Sequence, residues 1–284
     1  MDEREYRTIS VAPTSNAVGA EIGGVDLAVG VDDEQMAELR QAFADHEVIF
    51  LRDQAITPDQ HEAFAERWGT INVNRFFTPV PGHPRVAEVR KEPDQITNIG
   101  GGWHTDHSYD QLPAMGSLLY AREVPPVGGD TLFASMSAAY EALSDGLKET
   151  LRGLRADHSS RHVFGNRDYG ESTNNRIGNP DAATQDAVHP VVIEHPLSGR
   201  PCLYVNGGFT LRFVGWTDEE SAPLLQYLYR HASRPEFTYR FHWAAGSMAI
   251  WDNRAVQHYA LNDYHGHRRL MHRITIEGEK LEAA

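Results

Sequence analysis

The chain has 284 residues and a formal net charge of −14 with its histidines neutral. That balance excludes the usual nucleic-acid binder, because holding phosphates needs a positive field. A single cysteine, Cys202, excludes an intramolecular disulfide and a cysteine-based zinc site.

The first residues, MDEREYRTIS, have no apolar h-region, and no run of 18 apolar residues occurs. A cytoplasmic chain with no membrane partner is expected. ISVAP and AVGAEIGGVDL read as short strands around glycine turns. Met36, Leu39 and Phe43 at helical spacing predict a helix over Asp33–His46. EVIFLRD reads as a buried strand, and Thr57 or Asp59 caps a second helix that stops at Gly69.

From Val86 onward the pattern changes to short strands between Gly, Pro and Asn clusters. The strands are VAEVRK, SLLYAREV, DTLFASM, AVHPVVIEH, CLYVN, FTYRFHW, MAIWDN and HRITIEG. Helices interrupt them at Met136–Leu143, Asp145–Leu154 and Thr217–Ala232. This is a mainly β chain with flanking helices, a sandwich or barrel, in one domain over 1–284. Residues 161–187 are polar and rich in Asn, Asp and Gly, which predicts a mobile loop or lid. His158 and His162 are expected to be solvated or loop-anchoring, and His265, His267 and His272 to be surface histidines near a turn.

Trp103-His104-Thr105-Asp106 contains His-x-Asp. On an extended strand residues i and i+2 share a face, so an imidazole and a carboxylate stand side by side. His258, after Trp251-Asp252-Asn253-Arg254, offers a third ligand. Two histidines and one carboxylate leave three adjacent positions open on an octahedral ion, the facial triad of non-haem iron(II) oxygenases. His-x-Asp alone is weak evidence, since short motifs recur by chance. Arg269, 11 positions after His258, sharpens it. An arginine there can hold a carboxylate in bidentate fashion, and the hydroxyl of Thr131, 25 positions after Asp106, can complete the clamp. A short dicarboxylate suits that geometry. Asp252 and Asn253 read as turn residues or as supports for the ligands.

The ordered set WHTD, GGDTLF, WDNRAVQH and RRLMHR resembles the taurine dioxygenase (TauD/TfdA) family, which includes the aryloxyalkanoate dioxygenases. The resemblance runs from about residue 8 to 278. It implies a double-stranded β-helix (jelly roll), iron(II), 2-oxoglutarate and O2. It implies His104, Asp106 and His258 as ligands, and Thr131 and Arg269 on the distal carboxylate of 2-oxoglutarate. It also places Arg273 near the anionic group of the primary substrate. The chain departs from the taurine enzyme in lacking a histidine within Asn72–Phe77 and in carrying Gly100 where that enzyme has Asn. Phe76, Phe77, His107 and Tyr109 then predict a bulkier, more aromatic pocket. The expected reaction is C–H hydroxylation of a small anionic molecule: an alkyl sulfonate, a sulfate ester or an aryloxyalkanoate. A homo-oligomer, dimer or tetramer, is expected. A metal-dependent hydrolase or lyase, or a non-catalytic binding protein on the same barrel, are the alternatives.

Overall fold

The computed structural model describes residues 6–165 and 177–284. Its main sheet has nine strands. Their order runs Ser10–Pro13, Ala20–Gly23, Val48–Leu51, Met248–Asp252, Gly116–Glu123, Arg269–Ile276, His83–Lys91 and Pro79–Val80, with Ile71–Asn72 paired to Arg269–Ile276 off that path. A three-stranded sheet orders Thr238–Phe241, Thr131–Ser135 and Val256–Ala260. Among the described residues, two smaller sheets and six α-helices complete a mainly β structure.

Period-two alternation sorts the main sheet into two faces. On the outer face Leu118, Tyr120, Ile250, Ile274 and Ile276 pack with Met36, Leu39, Phe43 and Phe64 of two helices. Those helices are Asp33–His46, capped by the Asp32 side chain on Gln35 N, and Pro58–Glu66, which starts in a Thr57–Gln60 capping box. On the inner face Leu119, Ala121, Ala249, Trp251 and Met271 meet Phe133, Phe241 and Val256 of the three-stranded sheet. The alternation also sends Arg269 and Arg273, four apart on one strand, toward that inner side.

The helix Asp218–Ala232 buries Leu225 and Leu228 and is capped by Thr217. AVHPVVIEH divides into two strands, Asp186–Pro190 and Val192–Glu194. Strands at Arg155–Ser159, Thr210–Phe213 and Val256–Ala260 add to those the sequence pattern marks. The expected lid over 161–187 falls partly outside the described residues, at 166–176. Its described flanks hold a short helix, Arg161–Phe164, and the strand Asp186–Pro190. His158 corrects its expectation: it is 1% exposed, within reach of Ser108 and Thr210. His162 does anchor a loop, at 2.9 Å from the Gly208 carbonyl. His265 and His267 are exposed, but His272 is buried, because it lies on the outer face of the Arg269–Ile276 strand.

Burial, with His272 nearby, pushes His61 down to about 3. The unfolded chain binds that proton near the ordinary histidine value, about 6.5. The stability held by neutral His61 is therefore complete above about 6.5 and falls as pH drops toward 3, by about 1.4 kcal/mol per pH unit. A His61→Leu variant is expected to flatten urea-measured stability between pH 6.5 and 4; an unchanged slope would remove His61 from this account.

Candidate active site

The backbone sets two of the three candidate ligands face to face. His104 N–H donates to the His258 carbonyl at 3.2 Å, and His258 N–H donates back to the His104 carbonyl at 2.8 Å. His258 lies on Val256–Ala260, which pairs with Thr131–Ser135. The imidazole centroids are 4.2 Å apart. Extended pairing is confined to His104, however. Asp106 already opens a turn over residues 106–109. That turn still returns its carboxylate: ligand atoms of His104, Asp106 and His258 all lie within 4.8 Å of one another. No other group of three His, Cys, Asp or Glu side chains converges in this way among the described residues.

Electrostatics prepares this group for a cation. His104 Nδ1 sits 2.9 Å from the Gly102 carbonyl. That contact makes Nδ1 the donor and leaves the Nε2 lone pair toward Asp106. Burial, with His104 alongside, pushes His258 down to about 3, so the ring is neutral at neutral pH. Burial alone would raise the Asp106 carboxyl; Arg273 and the two imidazoles outweigh it and hold the group well below the usual carboxylate range. Ser117 Oγ donates to Asp106 Oδ2 at 2.9 Å, and Asn253 Nδ2 donates to Ser117 Oγ at 3.4 Å. Asn253 Oδ1 also accepts from the Asp106 backbone N–H at 3.4 Å. Asp252 is buried and bound by His195 and Arg254, which fixes the turn carrying Asn253. Both residues support the site rather than line up as ligands.

Arg269 is 5% exposed, and its buried Nε and Nη2 have no hydrogen-bond partner. Burial pushes its pKa down against the pull of Tyr264 and Asp130, yet a guanidinium stays protonated. A buried, unpaired cation is costly unless a ligand completes it. Thr131 Oγ1 lines the same cavity and accepts from Trp243 Nε1 at 3.0 Å. The Trp243 ring also lies 5.7 Å from the Arg269 guanidinium carbon. Trp243 thus touches both Thr131 and Arg269, a contact no sequence spacing marked. Gly129, at φ +73°, lets the arginine pass: a Cβ there would meet Arg269 Cδ at 3.3 Å.

A cavity of about 590 Å³ joins these parts and is lined by His104, Asp106, His258, Thr131, Arg269 and Arg273. Phe77 and Tyr109 form part of its wall, as expected, together with Phe164, Phe209 and Tyr229. Arg273 donates to Asp106 Oδ1 at 3.2 Å and lies 4.5 Å over the Phe77 ring, with its buried Nε unpartnered. Phe76 is not brought to the cavity; it sits behind the wall, stacked on Phe164 at 4.2 Å. His107 is not brought there either. Its φ of +60° turns the side chain to a smaller neighbouring cavity, where Nδ1 meets Asp110 Oδ2 at 3.0 Å.

The donor set, two imidazoles with one ionised carboxylate, fits iron(II). The unpartnered Arg269 beside Thr131 fits a carboxylate at the far end of a chelating acid. Comparison with known proteins agrees. A profile described as "Taurine catabolism dioxygenase TauD, TfdA family" matches residues 10–275. The chain is 34% identical over 275 residues to an alpha-ketoglutarate-dependent sulfate ester dioxygenase of Pseudomonas putida, covering 95% of this chain and 90% of that one. It superposes on the crystal structure of a taurine dioxygenase from Burkholderia xenovorans with a TM-score of 0.83 and 36% identity, covering 98% of this chain and 93% of that one. The crystal structure of AAD-2 in complex with Mn(II) and N-oxalylglycine is similar at a TM-score of 0.80 and 27% identity, covering 97% of this chain and 99% of that one. The chain belongs to the TauD/TfdA dioxygenase family.

Proposed function

We propose that this chain is an iron(II)- and 2-oxoglutarate-dependent dioxygenase that hydroxylates a C–H bond of a small anionic organic molecule, releasing succinate and CO2. The observation that carries this reading is the unpaired, buried Arg269 opening on the same cavity as the convergent His-Asp-His group. A hydrolase or lyase has no use for that arginine, so neither alternative is favoured.

His104, Asp106 and His258 would hold the iron, which supplies O2 activation coupled to oxidative decarboxylation of 2-oxoglutarate. Arg269 and Thr131 would take the distal carboxylate of that acid, with Trp243 keeping both in place. Arg273 lines the cavity, has an unpartnered Nε and would hold the anionic group of the primary substrate. Phe77 and Tyr109 would pack on its body and exclude water. Burial raises the Tyr109 phenol well above its ordinary value, so it stays neutral beside an anion.

The two facing sheets support a double-stranded β-helix core in one domain over 1–284. Val163 and Phe164 line the cavity, and Ile177 bridges to Phe77, which supports the described flanks of segment 161–187 as its cover. No helix among the described residues is long and apolar enough to cross a membrane. A cytoplasmic enzyme fits the lone, buried Cys202. Half-exposed Leu211, Val214 and Trp216 support a homo-oligomer.

The apolar wall favours sulfate esters, alkyl sulfonates and aryloxyalkanoates with a hydrocarbon body. A panel of these acids tests the proposal: at least one class is expected to stimulate 2-oxoglutarate consumption in the iron-loaded chain. No stimulation by any of them would reject this substrate class. Arg273→Met is expected to weaken the primary substrate more than 2-oxoglutarate, read as separate KM values; the reverse order would reassign Arg273.

A further inference from the structure

His104 and His258 are aimed by backbone pairing with each other, but Asp106 is not: it opens the turn over residues 106–109. A carboxylate on a turn is free to swing about its side-chain torsions unless other groups hold it. Ser117 is one such group. Its Oγ lies 2.9 Å from Asp106 Oδ2, and the residue is fully buried. Ser117 stands on the inner face of the strand Gly116–Glu123, where the alternate positions are the apolar Leu119 and Ala121. A hydroxyl buried on such a face is costly unless it is bonded. Gly116 lets this strand close on its neighbour at that point, since a Cβ there would meet the Trp251 carbonyl oxygen at 2.7 Å.

The proton directions around Ser117 follow from the donors. Trp251 Nε1 only donates, and Asn253 Oδ1 accepts from it at 2.9 Å. The same oxygen accepts from the Asp106 backbone N–H. The Asn253 amide is therefore turned with Nδ2 toward Ser117 Oγ, 3.4 Å away. Nδ2 has only protons to give, so Ser117 Oγ accepts there and its single proton is left for Asp106. The Asn253 carbonyl is fixed as well, accepting from Thr105 Oγ1 at 2.6 Å. The other oxygen of Asp106, Oδ1, is held by Arg273 at 3.2 Å. An ionised carboxylate offers about four lone-pair directions, so two donors leave room for a metal. Arg273 is also the group that would take the substrate's anion. Ser117 is then the donor that stays on Asp106 when the substrate draws on Arg273. We propose that Ser117 is a positioning residue for the metal-binding carboxylate of Asp106, oriented by the hydrogen bonds running from Trp251 through Asn253. This role rests on the iron site proposed above.

Ser117→Ala removes the hydroxyl alone, and Ser117→Thr restores it. Iron(II) affinity of the full chain is read anaerobically by competition with a chromophoric chelator. Ser117→Ala is expected to bind iron about 10- to 100-fold more weakly than wild type, the range that follows loss of a partner of a metal ligand. Cobalt(II) in place of iron gives visible bands that report the ligand set and its geometry. Those bands are expected to change in Ser117→Ala and to return in Ser117→Thr. A role confined to the fold would lower the melting midpoint and leave the bands of the cobalt-loaded protein as in wild type. Unchanged iron affinity in Ser117→Ala, a wild-type cobalt spectrum in that variant, or the Ser117→Ala spectrum in a folded Ser117→Thr would each overturn the role while the iron site stands. A wild-type chain that takes up neither metal would refute the iron site, and this role with it.

Discussion

An Arg269→Met variant is expected to lose 2-oxoglutarate binding while the protein itself becomes more stable. The loss comes from removing the cationic partner of a buried carboxylate. Such truncations cost about 2–5 kcal/mol, or about 30-fold to several thousand-fold in affinity. The gain comes from the ligand-free state, where Nε and Nη2 are buried without partners. Methionine fills similar volume and needs no hydrogen bonds. Relief of those unsatisfied donors contributes about 1–3 kcal/mol, set against roughly 1 kcal/mol of lost contact with the Trp243 ring. Net stabilisation of about 1 kcal/mol raises the melting midpoint by a few degrees. Calorimetric binding and thermal denaturation of the same preparation check both halves. A surface-type arginine would move neither; a purely structural one would move stability down and leave affinity unchanged.

Replacing Asp106 by Ala is expected to abolish iron retention and succinate formation together. It also strands Arg273, which donates to Asp106 Oδ1 at 3.2 Å and is 8% exposed. Breaking a buried pair by deleting one partner costs about 3–5 kcal/mol. Loss of activity could then reflect a weakened fold alone. The double variant Asp106→Ala/Arg273→Met separates the two. Without an orphaned cation it is expected to recover most of the stability, yet still to retain less than about a tenth of an equivalent of iron after repletion, since even losing a supporting contact costs 10- to 100-fold in affinity. Iron binding restored along with stability would show that Asp106 serves the fold and not the metal.

Much of this architecture is legible along the chain. Thr57, one of two candidate caps, does start its helix, and the helices expected from Asp33 and Thr217 begin within a residue of those positions, because a helix start needs only local chemistry. His104, Asp106, His258, Thr131 and Arg269 are legible as an ordered set of short motifs that resembles the TauD/TfdA family, although Asp106 lies in a turn and not on the strand its i+2 spacing suggests. The misses share a different cause. Arg155–Ser159, sequence RADHS, forms a strand because two neighbours pair with it, and nothing in its own pattern says so. His107 is adjacent to the candidate ligand Asp106 in sequence, but one positive φ turns it into another cavity. Trp243 arrives beneath Arg269 and Thr131 from a different strand end, through packing that no spacing encodes. Phe76 and Phe77 lie in an irregular stretch outside the named strands, and only Phe77 faces the cavity, which no periodicity could tell.

On the function proposed, Thr131 and Arg269 turn a generic His-Asp-His metal group into a 2-oxoglutarate site. Anaerobic optical titration of the iron(II)-loaded chain with 2-oxoglutarate tests it most directly. The account predicts a weak visible charge-transfer band that saturates in the wild-type chain and needs at least about 30-fold more 2-oxoglutarate in Arg269→Met. Absence of the band in iron-loaded wild type, or the same titration midpoint in both proteins, would contradict it.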